Sequence, residues 1–292
     1  LVREIAAPKA FVLTEEIFPV EITEDGQTIE ITIENQIIKG TAETIKVDAD
    51  YPDHKLSGAV FEVYADVDNN GEFNADIDKL AGEMAETEPG LYQMKDLVYG
   101  NYFLHEKQAA EFFEKDDGYY PFSITENEAV VRIETEAGKG FLNKAQTGSL
   151  KVVKTADDDK IEGRTFKISG TDFMGNAYEQ EFKTDENGEI NLTLRVGEYT
   201  VSEVAGEDSE KYILPDDQTV EIKAGETTTV KMHNKLVPEV PSVPQTGDNP
   251  WMPAILGTLA GLAVLSGGAL LFLRYTGKKR KSADQVDEDQ GT

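Results

Sequence analysis

Gly197-Glu198-Tyr199-Thr200-Val201-Ser202-Glu203 decides how this chain is read, because it is written again as Gly100-Asn101-Tyr102-Phe103-Leu104-His105-Glu106. In both runs every second residue shares a face, which is the period of a strand with one buried side. Tyr199 and Val201 share their face with Glu203, and Tyr102 and Leu104 share theirs with Glu106. Each glutamate thus closes an apolar row. A second strand follows and closes in asparagine, as Val230-Lys231-Met232-His233-Asn234 and Gly140-Phe141-Leu142-Asn143. The pair occurs a third time near the start, in Leu1-Val2-Arg3-Glu4 and Glu30-Ile31-Thr32-Ile33-Glu34-Asn35. The Glu-to-Asn separations are 31, 37 and 31 residues. Recurrence of this kind predicts a string of similar modules.

Upstream of the later two pairs lies a lysine-bearing strand. In Ser149-Leu150-Lys151-Val152-Val153-Lys154, the lysine at 154 shares a face with Leu150 and Val152. In Thr41-Ala42-Glu43-Thr44-Ile45-Lys46-Val47, Lys46 goes with Ala42 and Thr44 while Ile45 and Val47 lie opposite. A β-bulge is the device that would aim Lys46 inward. Further short strands follow at Ala59–Tyr64 and Thr165–Ile168, and Asn70-Gly71 and Asn187-Gly188 are turn candidates. Outside the C-terminal apolar stretch, only residues 108–115 suggest a short helical turn. The fold predicted is all-β: tandem immunoglobulin-like sandwiches.

These features resemble the Cna-B, or SpaA-type, prealbumin-like modules of Gram-positive pilins and adhesins. The resemblance rests on the Gly-x-Tyr-x-Val/Leu-x-Glu strand, the Ala7-Pro8 after Glu4, and the terminal strand ending in Asn. The later modules lack the Ala-Pro, and the first lacks its opening half. The resemblance implies an intramolecular isopeptide bond from a lysine amine to an asparagine side-chain carbonyl, promoted by glutamate. It assigns Lys154, Glu203 and Asn234 to one site, and Lys46, Glu106 and Asn143 to another. Glu4 and Asn35 belong to a third, whose lysine is expected upstream of Leu1. Burying such groups is costly unless they pair. Desolvation disfavours the charged forms of amines and acids, so a neutral nucleophilic amine becomes accessible beside a proton donor. Such a bond would short-cut the load path between first and last strands. It would also serve as the covalent staple of a chain with no cysteine.

The C-terminal fifth has a different grammar. A proline-rich linker at 237–242 leads into Val243-Pro244-Gln245-Thr246-Gly247. An uncharged apolar run at 253–273 follows, long enough for a hydrocarbon core that takes about 20 residues. Trp251 and Tyr275 flank it, and Lys278-Lys279-Arg280-Lys281 lies just beyond. The order of these parts resembles the LPxTG sorting signal, with Val243 standing where the family has leucine. That implies a sortase that attacks the Thr246 carbonyl, releases Gly247 onward, and passes Thr246 to an amine. The amine would belong to the peptidoglycan cross-bridge or to a pilin lysine. The transmembrane helix would then serve only the precursor, before sorting.

The predicted order is a partial module at 1–39, modules at 40–146 and 147–236, the linker at 237–242, and the sorting signal at 243–281. Within that signal lie the motif at 243–247, the span at 253–273 and a basic tail at 277–281. An acidic tail at 282–292 closes the chain. The opening Leu1-Val2-Arg3-Glu4 enters mid-pattern without a signal peptide, and is read as the interior of a longer protein. With 56 acidic and 28 basic residues, the formal charge is −28. That excludes a nucleic-acid partner, whose phosphates need a basic surface. Asp66, Asp68 and Asn70 begin a calcium-loop pattern, but Ile77 holds the position that needs a bidentate acid. A solvated hairpin loop is the competing reading. Three scattered histidines have no metal-ligand spacing, and no nucleophile–base set is present. The expected role is a peptidoglycan-anchored stalk or pilin and not a turnover enzyme. The alternative is an adhesin whose modules bind host extracellular matrix protein.

Overall fold

The computed structural model describes residues 1–239. The sorting motif at 243–247, the apolar span at 253–273 and both tails lie outside the described residues, as does the end of the linker. Among the described residues no helix is long and apolar enough to cross a membrane.

Residues 1–39, expected from the sequence to be part of a first module, contribute one two-stranded pairing, β1 (Val2–Arg3) with β2 (Ile17–Phe18). Residues 30–35 keep the predicted alternation, with Ile31, Ile33 and Asn35 more covered than their neighbours. They form no strand, because among the described residues nothing pairs with them in a ladder.

The second module runs from β3 (Lys39–Asp48) through β4 (Val60–Ala65), β5 (Lys79–Glu83), β6 (Ala85–Glu88), β7 (Leu91–Val98), β8 (Gly100–Gln108), β9 (Tyr119–Ile124) and β10 (Val130–Arg132) to β11 (Phe141–Asn143). One sheet has the order β10-β3-β7-β6, with β11 also on β3, and the facing sheet has β5-β4-β8-β9. Their inner faces enclose Phe61, Val63, Tyr92, Leu104, Ile124 and Phe141, all nearly or wholly inaccessible. Residues 109–113 make a tight turn, with Phe113 N–H donating to Ala110 O at 3.1 Å, where a helical turn is expected from the sequence.

The third module holds β12 (Thr147–Ala156), β13 (Thr165–Asp172), β14 (Ala177–Lys183), β15 (Glu189–Arg195), β16 (Gly197–Glu203), β17 (Tyr212–Ile213), β18 (Gln218–Ile222) and β19 (Thr227–Leu236). Its sheets are β15-β12-β19-β17 and β14-β13-β16-β18. The Asn187-Gly188 turn therefore carries the chain from one sheet to the other and does not close a hairpin. Leu150, Val152, Phe166, Ile168, Val201 and Met232 fill the space between the sheets.

The repeated Gly-x-Tyr element has a local cause. The Tyr102 hydroxyl donates to Val98 O at 2.8 Å, and the Tyr199 hydroxyl to Arg195 O at 3.0 Å, so each tyrosine staples the corner before its own strand. The glycines differ. A Cβ on Gly197 would stand 2.3 Å from Thr171 O, whereas one on Gly100 would meet only the Tyr102 ring, at 3.6 Å. Glycine is sterically required in the third module alone.

Modules two and three meet over a small apolar cluster of Leu56, Ala110, Phe113 and Ala145, against which Phe173 packs. The Arg195 guanidinium crosses this junction, reaching Asp48 Oδ2 at 2.5 Å and Asp172 Oδ2 at 3.0 Å. It also lies over the Tyr51 and Phe173 rings, at 5.1 and 5.4 Å. The connecting residues are bonded on both sides: Gln146 N–H donates to Phe112 O at 2.8 Å, and Val196 N–H to Gln146 O at 3.1 Å.

Candidate functional site

Each complete module brings its lysine, glutamate and asparagine together between the sheets. In the third module, β12 and β19 run parallel, with Lys154 opposite Met232 and Ala156 opposite Asn234. In the second, β3 and β11 run parallel, with Lys46 opposite Phe141 and Asp48 opposite Asn143. In both, the lysine faces the residue two before the asparagine. Lysine and asparagine are thus diagonal neighbours on one face, within reach of a long side chain. The glutamate comes from the other sheet, and there too the register repeats. Glu106 pairs with Phe61 across β8 and β4, and Glu203 pairs with Phe166 across β16 and β13. Phe61 and Phe166 form an apolar wall for the site that the motif reading did not single out.

Lys46 points inward without a local bulge. The register shift in β3 falls between Gly40 and Ala42, before the lysine, and the Ala42-Thr44-Lys46-Asp48 row is buried throughout. The bulge expected from the sequence is therefore not what aims it.

In the second module Lys46 and Glu106 have no solvent exposure, and Nζ stands 3.0 Å from Glu106 Oε1. Asn143 Nδ2 donates to both carboxylate oxygens, at 2.9 Å to Oε1 and 3.0 Å to Oε2. Oε2 also accepts the Asp116 backbone N–H at 2.7 Å. The Lys46 amine lies 4.2 Å from the centre of the Phe141 ring and 5.8 Å from that of Phe61. Burial pushes its pKa down to about 8, against the opposing pull of the Glu106 carboxylate. In the third module Lys154 Nζ lies 3.0 Å from Glu203 Oε2, while Asn234 Nδ2 donates to Oε1 at 2.8 Å. Burial also lowers the Lys154 pKa, with Glu203 opposing it. The asparagine Oδ1 atoms at 143 and 234 are buried and accept no hydrogen bond.

Residues 1–39 carry two of the three side chains of this arrangement. Asn35 Nδ2 donates to Glu4 Oε1 at 2.8 Å, and Thr14 N–H donates to Glu4 Oε2 at 3.2 Å. Among the described residues no lysine joins them.

The calcium-like loop resolves differently. Asp66, Asp68 and Asp78 approach one another, so Asp78 takes the place expected of Asn70. The Asp66 and Asp78 carboxylates each accept two backbone N–H groups of the loop, from Asn70 and Gly71 and from Val67 and Asn74. Asp68 accepts from Asn70. These bonds account for the three acids as organisers of a long turn.

The chain belongs to the family of SpaA prealbumin-like fold domains, whose model matches residues 40–139 and again 148–236. None of the curated proteins compared matches it. Among solved structures it is similar to the Bacillus anthracis TIE protein, with 25% identity and a TM-score of 0.59. That match covers 80% of this chain and 41% of the other, so this chain spans less than half of that structure. GBS52, the minor pilin of Streptococcus agalactiae, matches with 19% identity and a TM-score of 0.30, over 71% of this chain and 99% of its own. A C-terminal fragment of the pilus adhesin SpaC from Lactobacillus rhamnosus GG matches with 13% identity and a TM-score of 0.39, over 70% and 99%.

Proposed function

We propose that this chain is a load-bearing subunit of a Gram-positive cell surface, a stalk or pilin, whose second and third modules are each locked by one Lys–Asn isopeptide bond. The observation that carries this reading is the repeated register: two buried lysines, each diagonal to an asparagine on a parallel strand and each touching a glutamate from the facing sheet. A pair kept only for stability has little reason to recur this way, since well-packed apolar residues do as well or better in a core.

The chemistry balances within each site. The lysine gives a proton to the glutamate and becomes a nucleophilic amine. Half a turn of the amide about Cβ–Cγ presents Oδ1 to the protonated acid, which polarises the carbonyl. Nζ attacks Cγ, the Nζ–Cγ bond forms and the Cγ–Nδ2 bond breaks. Of the amine's three protons, one stays on the new amide and two leave with Nδ2 as ammonium. The glutamate ends as it began. Held contact between the groups replaces the entropy of a bimolecular encounter. The event occurs once per site, so it is maturation and not turnover.

Attachment is the second half of the proposal. The Val243-Pro244-Gln245-Thr246-Gly247 pattern, the apolar run and the basic cluster support sorting by a sortase. Thr246 would pass to a peptidoglycan cross-bridge amine or to a pilin lysine, leaving the protein on the cell wall.

Intact mass tests the locking. The purified chain should be lighter than its sequence by two molecules of ammonia, and Glu203→Ala by one. A wild-type mass equal to that of the sequence overturns the reading.

A further inference from the structure

The glutamates of the first two modules share a contact that the third lacks. Ten residues after Glu4, Thr14 donates its backbone N–H to Oε2, and ten residues after Glu106, Asp116 does the same. Ten residues after Glu203 the chain is in β17, where Ile213 pairs with Lys235 of β19. Among the described residues no backbone N–H donates to the Glu203 carboxylate, whose one hydrogen-bond donor there is the Asn234 side chain.

In the second module this donor is itself braced. Asp116 Oδ1 accepts the Gly118 N–H at 2.7 Å, and Oδ2 accepts the Tyr120 hydroxyl at 2.8 Å. Burial, with Asp116 beside it, keeps the Tyr120 phenol protonated. The Tyr120 ring packs edge-on against Phe141, the ring that covers the Lys46 amine. Asp116 in the loop and Tyr120 at the start of β9, both outside the triad, therefore fix the glutamate and the aromatic lid over the lysine.

The consequence lies in which oxygen does what. With Oε2 held by Asp116, Glu106 Oε1 touches both Lys46 and Asn143, so one atom can take the amine's proton and offer it to the amide. In the third module the lysine touches Oε2 and the asparagine Oε1, so the acid must turn between the two acts. We infer that Asp116 and Tyr120 are positioning residues that make the second module cross-link before the third. The inference rests on the isopeptide reading above.

The test is a time course on the full chain made by cell-free synthesis, quenched in acid denaturant. Intact mass gives the number of bonds, and protease fragments assign them. In the wild type the Lys46–Asn143 bond should appear first. Tyr120→Phe keeps the ring and removes the brace, and should slow that bond about tenfold or more. The Lys154–Asn234 bond, formed in the same molecules, should keep its rate and reports that the chain folds. Asp116→Ala should act like Tyr120→Phe, and Asp116→Asn, which keeps an acceptor for Gly118, should recover part of the rate. The pH profile separates positioning from loosening. Lost positioning lowers the plateau rate and leaves the midpoint near the Lys46 pKa of about 8, whereas a loosened, rehydrated site moves that midpoint up. Simultaneous bonds in the wild type, an unchanged rate in Tyr120→Phe, or a raised midpoint overturns the inference. If no ammonia is lost from either module, the isopeptide reading itself has failed.

Discussion

Modules two and three place the same three side chains in the same register and then surround them differently. Lys46 sits under two aromatic rings, whereas Lys154 lies opposite Met232 in the place of Phe141. Glu106 carries three donors and Glu203 one lysine and one asparagine. The difference teaches what the fold holds constant. Parallel pairing of first and last strands sets which atoms meet, while loops and core neighbours set how dry and how oriented the meeting is.

The largest test of this contrast is removal of the glutamates. Glu106→Ala should lose the cross-link, worth about 4–5 kcal/mol for a loop on the order of 100 residues. It should also leave Lys46 buried and uncompensated, a further loss of about 3–5 kcal/mol. Glu203→Ala should lose less, because no aromatic ring lies over the Lys154 amine as Phe141 lies over that of Lys46. Denaturant unfolding of the two variants measures both, and equal losses would break the contrast.

A pH titration is the next largest effect. Asn143→Ala cannot cross-link and leaves Lys46 titratable, with a folded pKa of about 8 against an ordinary 10.5. Below about pH 8 the amine is charged in both states and its burial cost is fully felt. Between about 8 and 10.5 only the unfolded chain holds the proton, so stability should rise with pH, by on the order of 3 kcal/mol. A wild type cross-linked as proposed, with Nζ in an amide, should show no such rise. A flat profile for the variant would contradict the dry setting of Lys46.

The smallest effect separates the two carboxylates. Lys46→Met leaves Glu106 with Asn143 and the Asp116 N–H, whereas Lys154→Met leaves Glu203 with Asn234 alone. The second substitution should cost more by about 1.5–3 kcal/mol, the value of one hydrogen bond to a charged group. Chemical unfolding of both sharpens or removes the distinction.

Much of this was legible in the residues because alternation is a strict rule. The inward aim of Lys154, Glu203 and Asn234 follows from the apolar rows that they close. Lys46 was harder. Val47 on the opposite face is buried as well, so β3 is covered on both sides and hydrophobicity does not tell which side faces the site. The Asp116 contact was invisible for another reason: the donor is a backbone N–H, carried by threonine in one module and aspartate in the next, so no residue type marks it. Asp78 escaped the calcium-loop pattern because that pattern counts positions along the chain, whereas the loop closes by folding back on itself. The strand expected at 30–35 has the right alternation and lacks a ladder partner, which no local pattern can supply.

Arg195 has a meaning for the pair of modules as a whole. The three residues between β11 and β12 are the short tether about which the modules would turn. Turning about them would pull a guanidinium away from Asp48, a carboxylate with no access to water. It would also part Phe112 from Phe173, whose rings lie 5.1 Å apart, and Phe112 is itself held in the left-handed region at φ 63°. Salt screens such an enclosed pair far less than an exposed one. The elbow is closed by default, and the spacing between the two Lys–Glu–Asn centres is held by one arginine together with the apolar cluster and the bonded tether.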